Sequence, residues 1–338
     1  MISVRDVARV VVVAALVLLA TGAVQAVVID TVTVGNPGNV ADTRYGSPGY
    51  GSVAYTYNIG KYEVTASQYT AFLNAVAKTD TYGLYKTGMS GTEYGCGIAR
   101  SGSSGNYTYS VDANFVNRPV NYVSWGDSAR FANWLHNGQP TGAQNASTTE
   151  DGAYFLNGAT SNAALLAVTR EADWKWAITS EDEWYKAAYY KGGGTNAGYW
   201  VYPTSSNTAP GQDMADAYGN NANYYTAPYA YPIDSGKFTT VVGEFQNSDS
   251  PYGTFDQGGN VWEWNEAILY DSSRGLRGGS FSFSVYYLRA ADRSFYNFPT
   301  VVYDTMGFRV SEVPEPATMS LLALGGLGML MRRRAARR

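Results

Sequence analysis

The stretch "GGNVWEWNE", residues 258–266, places a glutamate between two tryptophans, behind a pair of glycines. Side chains alternate on an extended chain, so Trp262 and Trp264 share one face and Glu263 takes the other. Two indoles on one face anchor such a strand in a core. The question is what the carboxylate between them meets, and an arginine such as Arg277 or Arg309 is one answer.

Working outward, the flanking chain carries clear local signals. "VAYTYNI" (53–59) puts Val53, Tyr55, Tyr57 and Ile59 on one face of a half-buried strand. Thr65 and Gln68 form a capping box ahead of Tyr69, Phe72, Leu73 and Val76, which recur at helical spacing. Ser124 opens a second helix, with Phe131, Trp134 and Leu135 on one face and Asn137-Gly138 as the stop. Ser180 and Glu183 box a third, which carries Trp184, Ala187 and Ala188 and runs into three glycines. The pieces 83–114, 138–170 and 191–222 show little periodicity, and loops that long are either functional or ordered by something other than regular structure. Only short strand-like pieces follow residue 222. The pattern predicts an α+β fold, one large domain with an unusual share of irregular chain.

Both ends of the 338-residue chain read as addresses. Residues 1–26 run from Arg5 and Arg9 through the apolar stretch Val10–Ala20 to "AVQA", the order of a secretory signal peptide with cleavage after Ala26. An uncleaved anchor is the weaker alternative, because the apolar run falls short of a span of about 20 residues. The other end, "VPEPATMSLLALGGLGMLMRRRAARR", sets Pro314, Glu315 and Pro316 before the mostly apolar Ala317–Met331 and five arginines. This order resembles the PEP-CTERM sorting signal of bacterial exported proteins. The resemblance implies recognition by exosortase-type machinery, transient membrane insertion of residues 314–338, and a final place in the cell envelope, at the cell surface or outside. A permanent C-terminal anchor is the alternative.

The stretch between the ends, residues 27–313, keeps 17 basic and 26 acidic residues, a formal charge of −9. That argues against nucleic acid or anionic lipid as partner. Cys96 is the one cysteine and His136 the one histidine, which leaves an internal disulfide, multi-histidine metal sites and Ser-His-Asp chemistry without residues. Cys96, with no histidine near it in sequence, is expected to be a small semi-buried side chain rather than a nucleophile.

Six motifs occur in order: "IGKYEVTASQYTAFLN" (59–74), "PVNYVSWGDSARFANWL" (119–135), "AITSEDEWYKAAY" (177–189), "GGNVWEW" (258–264), "LRGGSF" (276–281) and "GFRV" (307–310). Together they resemble the sulfatase-modifying-factor family, which includes the formylglycine-generating enzyme. The resemblance implies a C-type-lectin-like fold with much irregular structure. It also implies copper held by two cysteines shortly after the "GGS" motif, as soft thiolates select Cu(I). Here Phe283 stands where the first cysteine is expected, and the segment after it has none. A copper-dependent oxidase is therefore not expected, and a histidine-dependent iron site fails equally with His136 alone.

For calcium the resemblance implies two sets of ligands. Asp256 and Glu263 would act with the carbonyls of Gly259 and Val261; Asn223 and Asp234 would act with those of Tyr224 and Gly236. Hard oxygen donors of this kind suit Ca²⁺, which would tie irregular chain together in a structural role.

The function expected is a non-catalytic surface or matrix module that binds a polysaccharide or protein, or serves as a structural part. The alternative is formylglycine-generating activity from an unrecognised site. The candidate ligand surface lies in "FSFSVYYLRAADRSFYNFPTVVYD" (281–304), around Phe283, Tyr286, Tyr287, Arg289, Arg293 and Tyr296. Its mixture of tyrosine, serine, phenylalanine and asparagine gives rigid aromatic area with adaptable hydrogen bonds. Phenylalanine, tyrosine and valine in strands are also ordinary core residues, the plainer explanation of the same stretch.

Overall fold

The computed structural model describes residues 26–226, 233–294 and 297–313. The segment before Ala26 that was expected to be a signal peptide, Tyr296 and the Pro314–Pro316 motif lie outside the described residues.

Three longer helices form where their caps predict. In α1, Ala66–Val76, the Thr65 side chain accepts from the Gln68 amide, and the Gln68 side chain accepts from the Thr65 amide. The second, α2 (Trp125–His136), has the same reciprocal box between Ser124 and Asp127. A single-turn helix, α3 (Asn162–Leu166), interrupts a piece that lacks periodicity and starts at the Ser161 cap. In α4, Glu181–Tyr189, Ser180 and Glu183 form the third box. The apolar faces of α1 and α2 meet in an aromatic cluster. Phe72 and Phe131 pack edge to face at 5.3 Å, and Phe131 meets Phe308 in the same way at 5.4 Å. Such pairs contribute roughly 0.5–1.5 kcal/mol each beyond their burial.

A four-stranded antiparallel sheet carries β1 (Thr31–Val34), β2 (Tyr57–Gly60), β9 (Val310–Glu312) and β5 (Trp176–Ile178) in that order. The last strand sits inside it, with Ser311 opposite Ile59 on one side and Ala177 on the other. The fold is thereby closed by its final residues, and the Val313 amide ends it on the Lys175 carbonyl. Strands β3 (Ile98–Ser101) and β4 (Thr108–Val111) form a separate hairpin. The motif strand β6, Trp262–Leu269, lies between β7 (Ser273–Arg277), antiparallel to it, and β8 (Met306–Gly307), parallel to it.

Both faces of β6 are covered at its start: Trp262 is 2 %, Glu263 0 % and Trp264 0 % exposed. The alternation holds, and the face opposite the indoles is as dry as theirs. The alternation expected from Val53 does not hold. Strand β2 begins only at Tyr57, and Tyr55 turns outward so that its hydroxyl donates to Glu183 Oε1 at 2.6 Å.

Much of the long irregular chain is ordered by side chains that serve as backbone partners. Fully buried Asn133 donates to the carbonyls of Thr149 and Tyr154 and accepts from the Tyr154 amide. It thereby supplies a ladder that no strand provides. Arg130 clamps the same loop through a two-pronged pair with Glu150.

Candidate functional site

Glu263 meets an arginine. Its Oε2 accepts from Arg309 Nε at 2.5 Å and from Trp184 Nε1 at 2.7 Å, while Oε1 accepts from Arg309 Nη2 at 2.6 Å. Arg309 is itself 0 % exposed and spends its remaining N–H groups on the carbonyls of Gly60, Lys61 and Phe255. Arg277 stands directly opposite Glu263 in the β6–β7 register but turns to Glu181, 2.8 Å from its Nε, over the rings of Tyr50 and Tyr185.

The turn into β6 is built by left-handed residues: Asp256, Gly259 and Asn260 all have φ between +57° and +91°. At Gly259 a side chain is excluded, because a Cβ would run into the Asn223 carbonyl. That carbonyl accepts the Asn260 amide at 2.7 Å, so the two ligand sets expected for calcium lie against each other. Asp256 Oδ2 accepts from the Gly243 amide at 2.6 Å. Loss of water around its carboxyl pushes Asp256 up to about 6. Glu63, absent from the expected set, comes within 3.1 Å of Asn260 Nδ2 through Oε1, and its other oxygen has no hydrogen-bond partner. Burial, with the nearby Asp256 charge adding to it, holds Glu63 well above the ordinary carboxylate range. The only sequence signal for Glu63 is a carboxylate flanked by Tyr62 and Val64 in "KYEVT".

Several features of this turn fit a hard cation. Among the described residues, no hydrogen bond reaches the carbonyls of Gly259 or Val261. The Oδ1 of Asn223 is buried without a partner, as an unfilled oxygen ligand would be. Other members of the expected sets are already engaged. Asp234 pairs with Arg118, the Tyr224 carbonyl accepts from Gln212, and Glu263 is neutralised by Arg309. No three acidic, cysteine or histidine side chains converge on a metal-sized point among the described residues. A cation here would rest chiefly on carbonyls.

The candidate ligand surface assembles in part. Phe283 packs edge to face on Trp262 at 5.4 Å and on Tyr287 at 5.2 Å, a stack supported from the core. Beside it Tyr286 is 61 % and Tyr287 39 % exposed, on the 3-10 turn Val285–Leu288. Arg289 lies over the Tyr286 ring and pairs with Asp292, whereas Arg293 turns to Glu181. Cys96 is fully buried, donates to the Met89 carbonyl, and is pushed up to about 12 by burial. A thiol so held is inert at neutral pH.

This geometry can be set beside known proteins. Residues 13–313 match the family model described as sulfatase-modifying factor enzyme 1-like domain. The chain belongs to the sulfatase-modifying-factor family. Residues 312–335 match the PEP-CTERM protein-sorting motif, which implies export, cell-envelope association and processing by exosortase-type machinery. Among solved structures, CarF is 21 % identical, covering 85 % of this chain and 99 % of its own, with a TM-score of 0.51. Treponema denticola variable protein 1 is 20 % identical, covering 86 % of this chain and 97 % of its own, also at 0.51. No curated protein gives a significant match. These likenesses bear on the fold, and they agree with the expected α+β, C-type-lectin-like architecture.

Proposed function

We propose that this chain is an exported, non-catalytic member of its family, acting at the cell surface or in an extracellular matrix as a binding and structural module. One observation carries the reading. The resemblance puts Phe283 at the place of the family's first copper cysteine, and here its ring packs on Trp262 and Tyr287, an aromatic contact in place of a thiolate. The buried Cys96 offers no substitute thiolate.

In this reading the exposed Tyr286 and Tyr287, with Phe283 and Arg289 beside them, form the ligand platform. Its arginines are offset by Asp292 and Glu181, which suits a neutral polysaccharide or a protein surface better than a polyanion. Calcium has a structural part, held by the carbonyls of Gly259 and Val261 and by Asp256, with Asn223 Oδ1 offering a second point of attachment. When bound, the ion supplies charge and cross-linking rather than chemistry. The sorting tail delivers the module, and its removal leaves the domain on the surface or free of it.

The test is a glycan array and a pull-down from the native envelope, with wild type and Tyr286→Ala/Tyr287→Ala, in calcium and in chelator. A reproducible ligand lost in the double variant supports the reading. Retention of all binding by the double variant would remove the platform.

A further inference from the structure

Residues 303–313 run along α2 from its cap to its last turn. At the start, the Tyr122 amide donates to the Tyr303 carbonyl and the Trp262 amide to that of Thr305. Midway, Phe308 packs edge to face on Phe131. At the end, the Val313 amide donates to the Lys175 carbonyl, and the Lys175 amide to Nδ1 of His136, the last residue of α2. The start of the described chain reaches the same end of the helix. Gln139, three residues beyond His136, accepts from the Val27 amide on Oε1 at 2.6 Å and donates from Nε2 to the Val27 carbonyl at 2.8 Å. The aromatic platform stands at the opposite end. Phe283 and Tyr287 pack on Trp262, and Trp264 of the same strand donates to the Val123 carbonyl, just before the Ser124 cap. The 12 residues of α2 set these two ends about 18 Å apart.

Reach then decides which end a membrane meets. The mostly apolar run Ala317–Met331 begins four residues after Val313, and four residues span at most about 14 Å. The headgroup layer takes up roughly 5–7 Å of that. A membrane holding the tail therefore holds the Val313 end of the domain against its headgroups. On the other side, Val27 follows the apolar stretch Val10–Ala20 by seven residues, about 25 Å at full extension, so both apolar segments of the chain draw on one end of α2. Among the described residues no helix is long and apolar enough to cross a membrane, so the aromatic end has no matching attachment. The segment beside the exit is "DWKW" (173–176), with Trp174 and Trp176 half-buried and Asp173 and Lys175 exposed. Tryptophan suits a headgroup layer, where one edge of the ring is apolar and the other wet. Glu171 and Asp173 offset Lys175, so charge does not draw this face to anionic lipid and the tether sets the orientation. We propose that the C-terminal end of α2, with residues 173–176, is the membrane-facing surface of the tail-bearing protein, and that Tyr286 and Tyr287 are thereby presented outward. What the outward face binds rests on the platform reading above; the membrane face does not.

The experiment places a fluorophore at the near end, on Asp173→Cys, or at the far end, on Tyr303→Cys, of the full-length protein. Each is reconstituted in phosphatidylethanolamine–phosphatidylglycerol vesicles with and without a nitroxide on the headgroups. Cys96 is fully buried, so the unsubstituted protein is the labelling blank. Tyr303 is 56 % exposed and separate from Tyr286 and Tyr287, so ligand binding can be followed in the same samples. The near-end probe is expected to be quenched about threefold or more over the far-end one, because contact quenching acts over a short range and the ends lie about 18 Å apart. Equal quenching, or stronger quenching at residue 303, overturns the proposal, as does failure of the full-length chain to float with the vesicles. The expected quenching without any glycan or protein ligand keeps the membrane face and removes the platform reading alone. Should Asp173→Cys fail to fold, Ala172→Cys, likewise exposed, carries the near-end probe, and the same outcomes decide.

Discussion

Replacing Glu263 by Gln tests the centre of the fold. The substitution keeps size and a hydrogen-bonding carbonyl for Trp184, and removes the charge that Arg309 faces from two nitrogens at 2.5 and 2.6 Å. Both side chains are 0 % exposed, so solvent cannot screen the orphaned guanidinium. Breaking a buried pair in this way costs about 3–5 kcal/mol. For domains of this size class 1 kcal/mol moves Tm by about 2–4 °C, so the variant should melt roughly 6–20 °C lower. Most of that loss should persist in chelator, because the pair, not an ion, holds the carboxylate. The assay is thermal and urea unfolding of wild type, Glu263→Gln, Arg309→Met and the double variant. Strong coupling is expected, with the double variant far more stable than the sum of the single losses implies. A loss below about 1 kcal/mol for Glu263→Gln would refute the reasoning, as would a loss seen only in calcium. Either result would mean that the arginine is not the carboxylate's main partner.

Lys186 is 0 % exposed, has no carboxylate partner among the described residues, and donates to the Asn36 carbonyl at 2.9 Å; burial pushes it down to about 8. The penalty should be complete below pH 8 and released as pH rises towards the unfolded value near 10.5, so Lys186→Met should stabilise at pH 7 and the gap should narrow steadily above pH 8 in urea titrations. Incubation with a sulfatase-derived Cys-x-Pro-x-Arg peptide, with or without copper, should yield no aldehyde by mass spectrometry, given Phe283 in its aromatic stack. Truncation after Val313 should leave the melting transition unchanged, since β9 ends at Glu312 and Val313 makes the closing hydrogen bond to Lys175; loss of cooperativity would move the boundary.

What could be read from sequence divides by the range over which each feature is decided. The capping boxes at Thr65 and Ser180 were legible because two residues three positions apart contain both donors and both acceptors. The helix at Asn162–Leu166 was not, since one turn is too short for periodicity to register. Tyr55 was misplaced because alternation cannot say where a strand starts; a hydroxyl partner on Glu183 drew it off the expected face. Pairing of β2 with β9 joins Asn58 to Glu312, and no local pattern carries that information.

The choice between Arg277 and Arg309 shows the limit most plainly. Cross-strand register alone favours Arg277, which lies opposite Glu263. Yet a long side chain goes where the best set of partners waits, and for Arg277 these are Glu181 and the faces of Tyr50 and Tyr185. Arg309 sits just before the strand that closes the fold, already aimed at Glu263 by the carbonyls of Gly60 and Phe255. Its pairing is therefore a consequence of closure, settled only when the last strand enters the sheet. The same holds for Glu63. Its motif announces a helix cap, and only the completed fold lays that carboxylate against Asn260 and turns a helix-capping segment into one wall of the candidate cation site.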